Sequence, residues 1–322
     1  MQSVQHEIPN GAGHLLSLHQ TWDESRLDRG KRPVVIVPGY GMNSYIFSWH
    51  PRGPSLEGFL AAEGYEVWRA DLRGQGDSKR TFGTDDYGLK DLALTDLGVV
   101  IDAMLARTQT GADRVTMMGC SLGGTIMLLH AALRPEHRIG AMIAMGTPVR
   151  WVKVHPMLRA AFVSPWLIGK LPLRGTRALC EAALPRIARL TPWLLKIYMN
   201  PEIVDTQAAR EMVKTVEDPN RHVNREIAEW IRRGDLVVGD VNLADALRAM
   251  RQPFLCVYAN GDGIVPPETA SFVYQQIGSA QKALLEVGSR EVQMAHADMF
   301  VSNEAHARVF TPIARWLEEN AI

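Results

Sequence analysis

The stretch Met118-Gly119-Cys120-Ser121-Leu122-Gly123-Gly124 stands between two segments of different character. Before it, Arg114-Val115-Thr116-Met117-Met118 is short and apolar, as a buried strand is. After it, residues 125–133 are apolar with small side chains and read as a helix. Gly119, Ser121 and Gly123 therefore fall at a strand-to-helix turn. That is the context a Gly-x-Ser-x-Gly nucleophile elbow requires. A sharp turn strains the serine backbone and lifts its hydroxyl clear of the sheet. Glycines two residues to either side let strand and helix approach. The helix N-terminus then directs amides and its positive dipole end at the place where negative charge develops.

Outward from this turn, strand and helix patterns alternate. Residues 13–22 alternate loosely and read as an early strand, able to pair with residues before Asn10-Gly11. Residues 33–37 form a β-branched apolar run that delivers the loop Pro38-Gly39-Tyr40-Gly41. A short helix is expected over 55–62 and a strand over 65–70. A turn-rich loop, Asp71-Leu72-Arg73-Gly74-Gln75-Gly76-Asp77-Ser78, and a helix over 91–108 follow. In that loop the Arg and Asp side chains read as ties between neighbouring loops. Past the elbow come strands at 139–145, 253–258 and 282–287, with helices at 268–277 and 303–319. Such alternation predicts an α/β fold, a mainly parallel central sheet with helices on both faces.

Between residues 149 and 235 the alternation stops. This segment is helical in character, is punctuated by Pro156, Pro165, Pro172, Pro185, Pro192 and Pro201, and carries four of the eight tryptophans. It reads as a helical cap inserted over the catalytic face, with 1–148 and 236–322 forming the core domain. From Arg150 to Lys196 it holds nine Lys/Arg and one acid, Glu181. A basic and apolar cap suits either peripheral contact with an anionic membrane or recognition of an anionic, acyl-bearing substrate such as an acyl thioester. It also suits a plain cap whose basic face is solvated.

Composition sets the outer bounds. The 322 residues are 46% hydrophobic and 22% charged, ordinary for a globular chain, and can bury a sizeable core. Zero formal net charge argues against a nucleic-acid partner. No apolar run is long enough for a transmembrane helix, and residues 1–10 lack a signal-peptide pattern, so a cytoplasmic location is expected. Cys120, Cys180 and Cys256 show no metal-ligand spacing and read as reduced, buried thiols.

A serine hydroxyl needs a base within hydrogen-bond reach, and the base needs an orienting acid. The loop Ala259-Asn260-Gly261-Asp262-Gly263-Ile264-Val265-Pro266 leaves the end of a strand. Met294-Ala295-His296-Ala297-Asp298 follows the last strand. The order Ser121, Asp262, His296 places acid and base at the carboxyl ends of strands, where sites of parallel sheets form. Asp262 in a Gly-Asp-Gly turn also suits a simple Asx turn. Asp298 is the second candidate acid, but lies too close to His296 in sequence to orient its ring. His130, His137 and His306 fall on or near helices and read as structural. The backbone amides of Leu122 and Tyr40 are the candidate oxyanion donors.

On these residues the chain resembles the α/β-hydrolase superfamily over nearly its whole length. The oxyanion loop, the 71–78 loop, the elbow, the Asp262 loop and His296 all fall in place. The usual His-Gly of the oxyanion loop is Pro38-Gly39 here. The elbow, with residues 45–68, is also similar to polyhydroxyalkanoate synthases and lysosomal-acid-lipase-like enzymes. Those synthases use cysteine at the elbow, so serine at 121 favours hydrolysis over polymerisation. Serine rather than aspartate there also disfavours epoxide hydrolases and dehalogenases. The resemblance implies an esterase- or lipase-like serine hydrolase of a carboxylic ester or thioester with a hydrophobic group, needing no metal or organic cofactor. An acyltransferase using the same nucleophile and a non-catalytic binding protein on the same scaffold are the alternatives.

Overall fold

The computed structural model describes residues 1–168, 170 and 174–320. Pro172 lies outside the described residues, as do the side chains of Pro185 and Arg189. The strands, in chain order, are β1 (Gln2–Pro9), β2 (His14–Trp22), β3 (Val34–Val37), β4 (Val67–Asp71), β5 (Lys79–Arg80), β6 (Val115–Cys120), β7 (Ile139–Met145), β8 (Val237–Val238), β9 (Val241–Asn242), β10 (Phe254–Ala259) and β11 (Lys282–Val287). Among the described residues, nine of them form one sheet in the order β1-β2-β4-β3-β6-β7-β10-β11, with β5 on β2. β1, β2 and β4 pair antiparallel, and from β4 to β11 every pairing is parallel.

The elbow strand β6 is central and wholly buried. Strand periodicity of two splits its side chains between two cores. Val115 and Met117 join Val35 and Val37 under the helices Leu97–Leu105 and Leu122–Leu133. Met118 and Cys120 join Val34 and Ile36 under the helices Leu56–Ala62 and Thr311–Glu319. That is why these strands read as continuous apolar runs: both faces are covered.

Two expected helices differ in detail. The 268–277 stretch is two short helices, Pro267–Ala270 and Phe272–Gln276, because the chain turns at Ser271. The last helical run begins at 306, not 303, since Ser302 is held in an antiparallel bridge to Val204.

The 71–78 loop is tied down as its charges suggest. The Arg73 guanidinium grips the buried Asp96 carboxylate with contacts of 2.5 and 2.9 Å, and Asn10 Nδ2 donates to the same carboxylate at 2.8 Å. A buried ion pair holds up only when its remaining lone pairs are satisfied in this way.

After β7 the chain enters the helices Pro156–Ala161, Pro165–Ile168, Thr176–Leu190, Pro192–Ile197, Ala209–Val213 and Arg221–Arg233. The hairpin β8–β9 then leads back to the sheet at β10. The excursion leaves and returns at one place. Arg150 and Asp235 form an antiparallel bridge, their side chains pair, and Trp151 N–H donates to Gly234 O at 2.8 Å. Val223, Ile227 and Trp230 pack into one face's core, and Leu195, Met199 and Met212 into the other's. No described helix is long and apolar enough to cross a membrane.

Candidate active site

Ser121 sits between β6 and the Leu122–Leu133 helix at φ 52°, ψ −121°, a strained conformation for a side-chain-bearing residue. Its amide donates to Met145 O at 2.8 Å, which fixes the turn to the end of β7. The spacing of the flanking glycines has a steric cause. A Cβ on Gly119 would lie 2.3 Å from Gly124 Cα, and one on Gly123 would lie 2.4 Å from the carbonyl oxygens of Val37 and Pro38. The loop after β3 also comes close, since a Cβ on Gly39 would lie 2.9 Å from Ser121 Cβ.

That approach brings the Tyr40 amide beside the elbow. Neither the Tyr40 nor the Leu122 amide donates a hydrogen bond among the described residues. The Tyr40 hydroxyl donates to Asn224 Oδ1 at 2.6 Å. Burial pushes the phenol pKa upward, so it remains a neutral donor.

Asp262 and His296 meet as their loops suggest. His296 Nδ1 lies 2.6 Å from Asp262 Oδ2, and both side chains are buried. Asp262 also makes the Asx turn: its Oδ1 accepts from Ile264 N and Val265 N, each at 2.8 Å. Each oxygen thus has its own task. The two loops are stitched together by Gly261 N–H to Met294 O at 2.8 Å and Met294 N–H to Asn260 Oδ1 at 2.9 Å.

Ser121 and His296 line one cavity of about 310 Å³. No hydrogen bond joins them. His296 Nε2 is buried and has no partner among the described residues. Such contacts often close only when substrate is bound.

Other residues brace the site in ways that the sequence does not mark. Asp298 does not face the imidazole. Its carboxylate accepts from Ala295 N at 2.6 Å and Asn200 N at 3.0 Å, bracing the His296 loop. Burial raises its pKa to about 7 against the pull of those amides. Ile197 O and Tyr198 O accept from Gly263 N and Ala297 N at 3.1 and 2.8 Å, so the helical excursion grips both loops. Cys180, read only as a buried thiol, is half-buried in the cavity wall. Cys120 packs into the core, where burial pushes its thiol pKa upward. No cluster of metal-ligating side chains is present among the described residues.

A serine elbow on a central parallel strand, with an aspartate and a histidine in contact after later strands, defines a class of hydrolase scaffold. The chain belongs to the α/β hydrolase fold family, whose sequence pattern matches residues 32–297. It is 23% identical over 273 residues to a pimeloyl-[acyl-carrier protein] methyl ester esterase of Vibrio campbellii, covering 84% of this chain and 90% of that one. It is 29% identical over 143 residues to Lipase 3 of Drosophila melanogaster, covering 41% and 36% of the two chains. Among solved structures it is similar to a thermophilic esterase from Thermogutta terrifontis, with a TM-score of 0.63 at 19% identity and full coverage of both chains.

Proposed function

We propose that the protein is a serine hydrolase of carboxylic esters. The observation that carries this is the Asp262–His296 contact beside a positive-φ serine in one cavity. In this reading Ser121 Oγ attacks the ester carbonyl carbon and its proton passes to His296 Nε2. Asp262 holds the tautomer with the proton on Nδ1 and stabilises the imidazolium. The amides of Tyr40 and Leu122 receive the oxyanion. The carbonyl–alkoxy bond breaks, and His296 returns the proton to the leaving alcohol. A water molecule, deprotonated by His296, then attacks the acyl carbon; the acyl–Oγ bond breaks, the acid leaves, and His296 returns the proton to Ser121 Oγ. The names of the esterase and lipase relatives support ester cleavage. A fluorophosphonate probe should modify Ser121 alone, as read by mass spectrometry of the peptide that carries it. An unmodified Ser121, or equal labelling of a His296→Ala variant, would overturn the assignment.

Residues 149–235 act in this reading as a cap, closed at its base by the Arg150–Asp235 pair. We further propose that the cap rests on anionic membrane surfaces. Between Val152 and Trp193 lie eight of the thirteen large apolar side chains exposed among the described residues, Trp166 and Trp193 included. Arg159, Lys170, Arg174 and Arg186 meet no carboxylate among the described residues. Lys170 lies 4.0 Å over the Trp166 ring, and exposed tryptophan among cations that meet no carboxylate suits a lipid headgroup layer. Phosphatidylglycerol vesicles should sediment the protein, phosphatidylcholine vesicles should not, and W166S/W193S should weaken the binding about tenfold. Equal recovery on both lipids would dismiss the membrane reading.

A further inference from the structure

We infer that the cavity beside Ser121 takes an uncharged acyl chain of about six to ten carbons, an inference that rests on the ester-hydrolase reading above. Ser121 and His296 both line the cavity, so a chain attached to the carbonyl that Ser121 attacks has this space beside it. Its volume is about 310 Å³. A water molecule's share of liquid volume is about 30 Å³ and a methylene needs about the same, so roughly ten such units fit. The carbonyl carbon and its oxygens use part of that space.

The wall chemistry fixes the character of the chain. Met42, Leu184, Met199, Met212 and Val216 form apolar sides drawn from four separate parts of the sequence. Three of these five are methionines, whose thioethers adapt to a flexible alkyl chain. Apart from His296, no charged side chain lines the cavity among the described residues. Two of the polar side chains in the wall are already engaged, and the Tyr198 hydroxyl and Cys180 thiol beside them are neutral groups. The Tyr40 hydroxyl donates to Asn224, and Thr215 Oγ1 donates to Met212 O at 2.6 Å. A carboxylate at the far end of the chain would lose its hydration and meet no lysine or arginine in the wall.

The test compares p-nitrophenyl acetate, octanoate and palmitate with the half ester p-nitrophenyl hydrogen suberate. Each methylene buried up to octanoate should raise kcat/KM about fourfold. Palmitate should fall at least about tenfold below octanoate. The suberate half ester, equal in length but carrying a terminal carboxylate, should fall at least about a hundredfold below it. L184W, and V216F independently, should move the optimum toward butanoate by filling the cavity. A flat chain-length profile, an optimum at palmitate, or suberate turnover equal to octanoate would overturn the inference. Binding to Ser121→Ala separates this inference from the chemistry. Calorimetry should show methyl octanoate binding more tightly than methyl palmitate or methyl hydrogen suberate. Turnover without that preference removes the acyl pocket, whereas the preference without any wild-type turnover leaves the pocket and removes the hydrolase.

Discussion

Ser121→Ala should lower kcat on any ester substrate by about 10⁵–10⁶-fold while leaving the folded state within about 0.5 kcal/mol of wild type. Both halves follow from the elbow. Without Oγ no acyl-enzyme forms, and His296 and the two amides are left with no attacking group to assist. Stability is spared because the elbow is held by backbone contacts, Ser121 N–H to Met145 O and Gly124 N–H to Ser121 O. Alanine keeps them all, and it also keeps the strain of φ 52°. Ser121→Gly separates the two effects. It should be as inactive as the alanine variant but about 1 kcal/mol more stable, because glycine adopts this backbone without penalty. Ester turnover and chemical denaturation, measured on both variants, check the pair. A glycine variant less stable than alanine would mean that the backbone at 121 is not strained. An alanine variant with substantial turnover would mean that another residue attacks.

The parts of this site that were legible in the sequence are those whose cause is local. Gly119 and Gly123 are required by close backbone approach within a few residues of Ser121, so the motif itself carries the geometry. The continuous apolar runs at 34–37 and 115–120 announce strands covered on both faces, and with them the parallel sheet. Asp262 and His296 stand out because each follows a strand-like run, where parallel sheets place their sites. What stayed hidden depends on contacts between distant segments. Asn224 holds the Tyr40 hydroxyl from 184 residues away, and nothing around Asn224 marks it. Asp298, set aside because it was too near His296 in sequence to turn its ring, still acts on that loop through backbone amides. The cavity wall joins residues 42, 184, 199, 212 and 216, and no spacing pattern connects them. The break at Ser271 within the expected 268–277 helix and the start of the last helical run at 306 in place of 303 are equally unmarked. A tertiary bridge to Val204, not local propensity, sets the second of them.

Asp262→Asn should cost about 10³–10⁴-fold in kcat with the fold preserved, and the hydrogen bonds of Asp262 explain why so small a change does so much. Oδ1 accepts from two backbone amides, Ile264 N and Val265 N. In the asparagine variant the carbonyl oxygen must stay with those two donors, because an amide NH₂ cannot accept them. The NH₂ is thereby turned toward His296 Nδ1, where Oδ2 stood at 2.6 Å. A donor at that position forces Nδ1 to become the acceptor and moves the ring proton to Nε2. The imidazole then presents N–H, not a lone pair, to Ser121 and cannot take its proton. The Asx turn survives, so the thermal midpoint should move little. Asp262→Ala removes the turn acceptor as well and should lose both activity and stability. Asp298→Asn provides the contrast. Its carboxyl braces backbone amides and does not contact the imidazole, and burial holds its pKa at about 7. That variant should alter the pH dependence of stability, because a native pKa raised above the unfolded value makes the wild type lose stability as pH rises from about 4 through about 7. The asparagine cannot titrate, and its curve should be flatter over that window. Steady-state kinetics with unfolding curves at several pH values separates the two acids. If Asp298→Asn were to lose kcat as fully as Asp262→Asn, with an unchanged pH–stability curve, the acid beside His296 would have been assigned to the wrong residue.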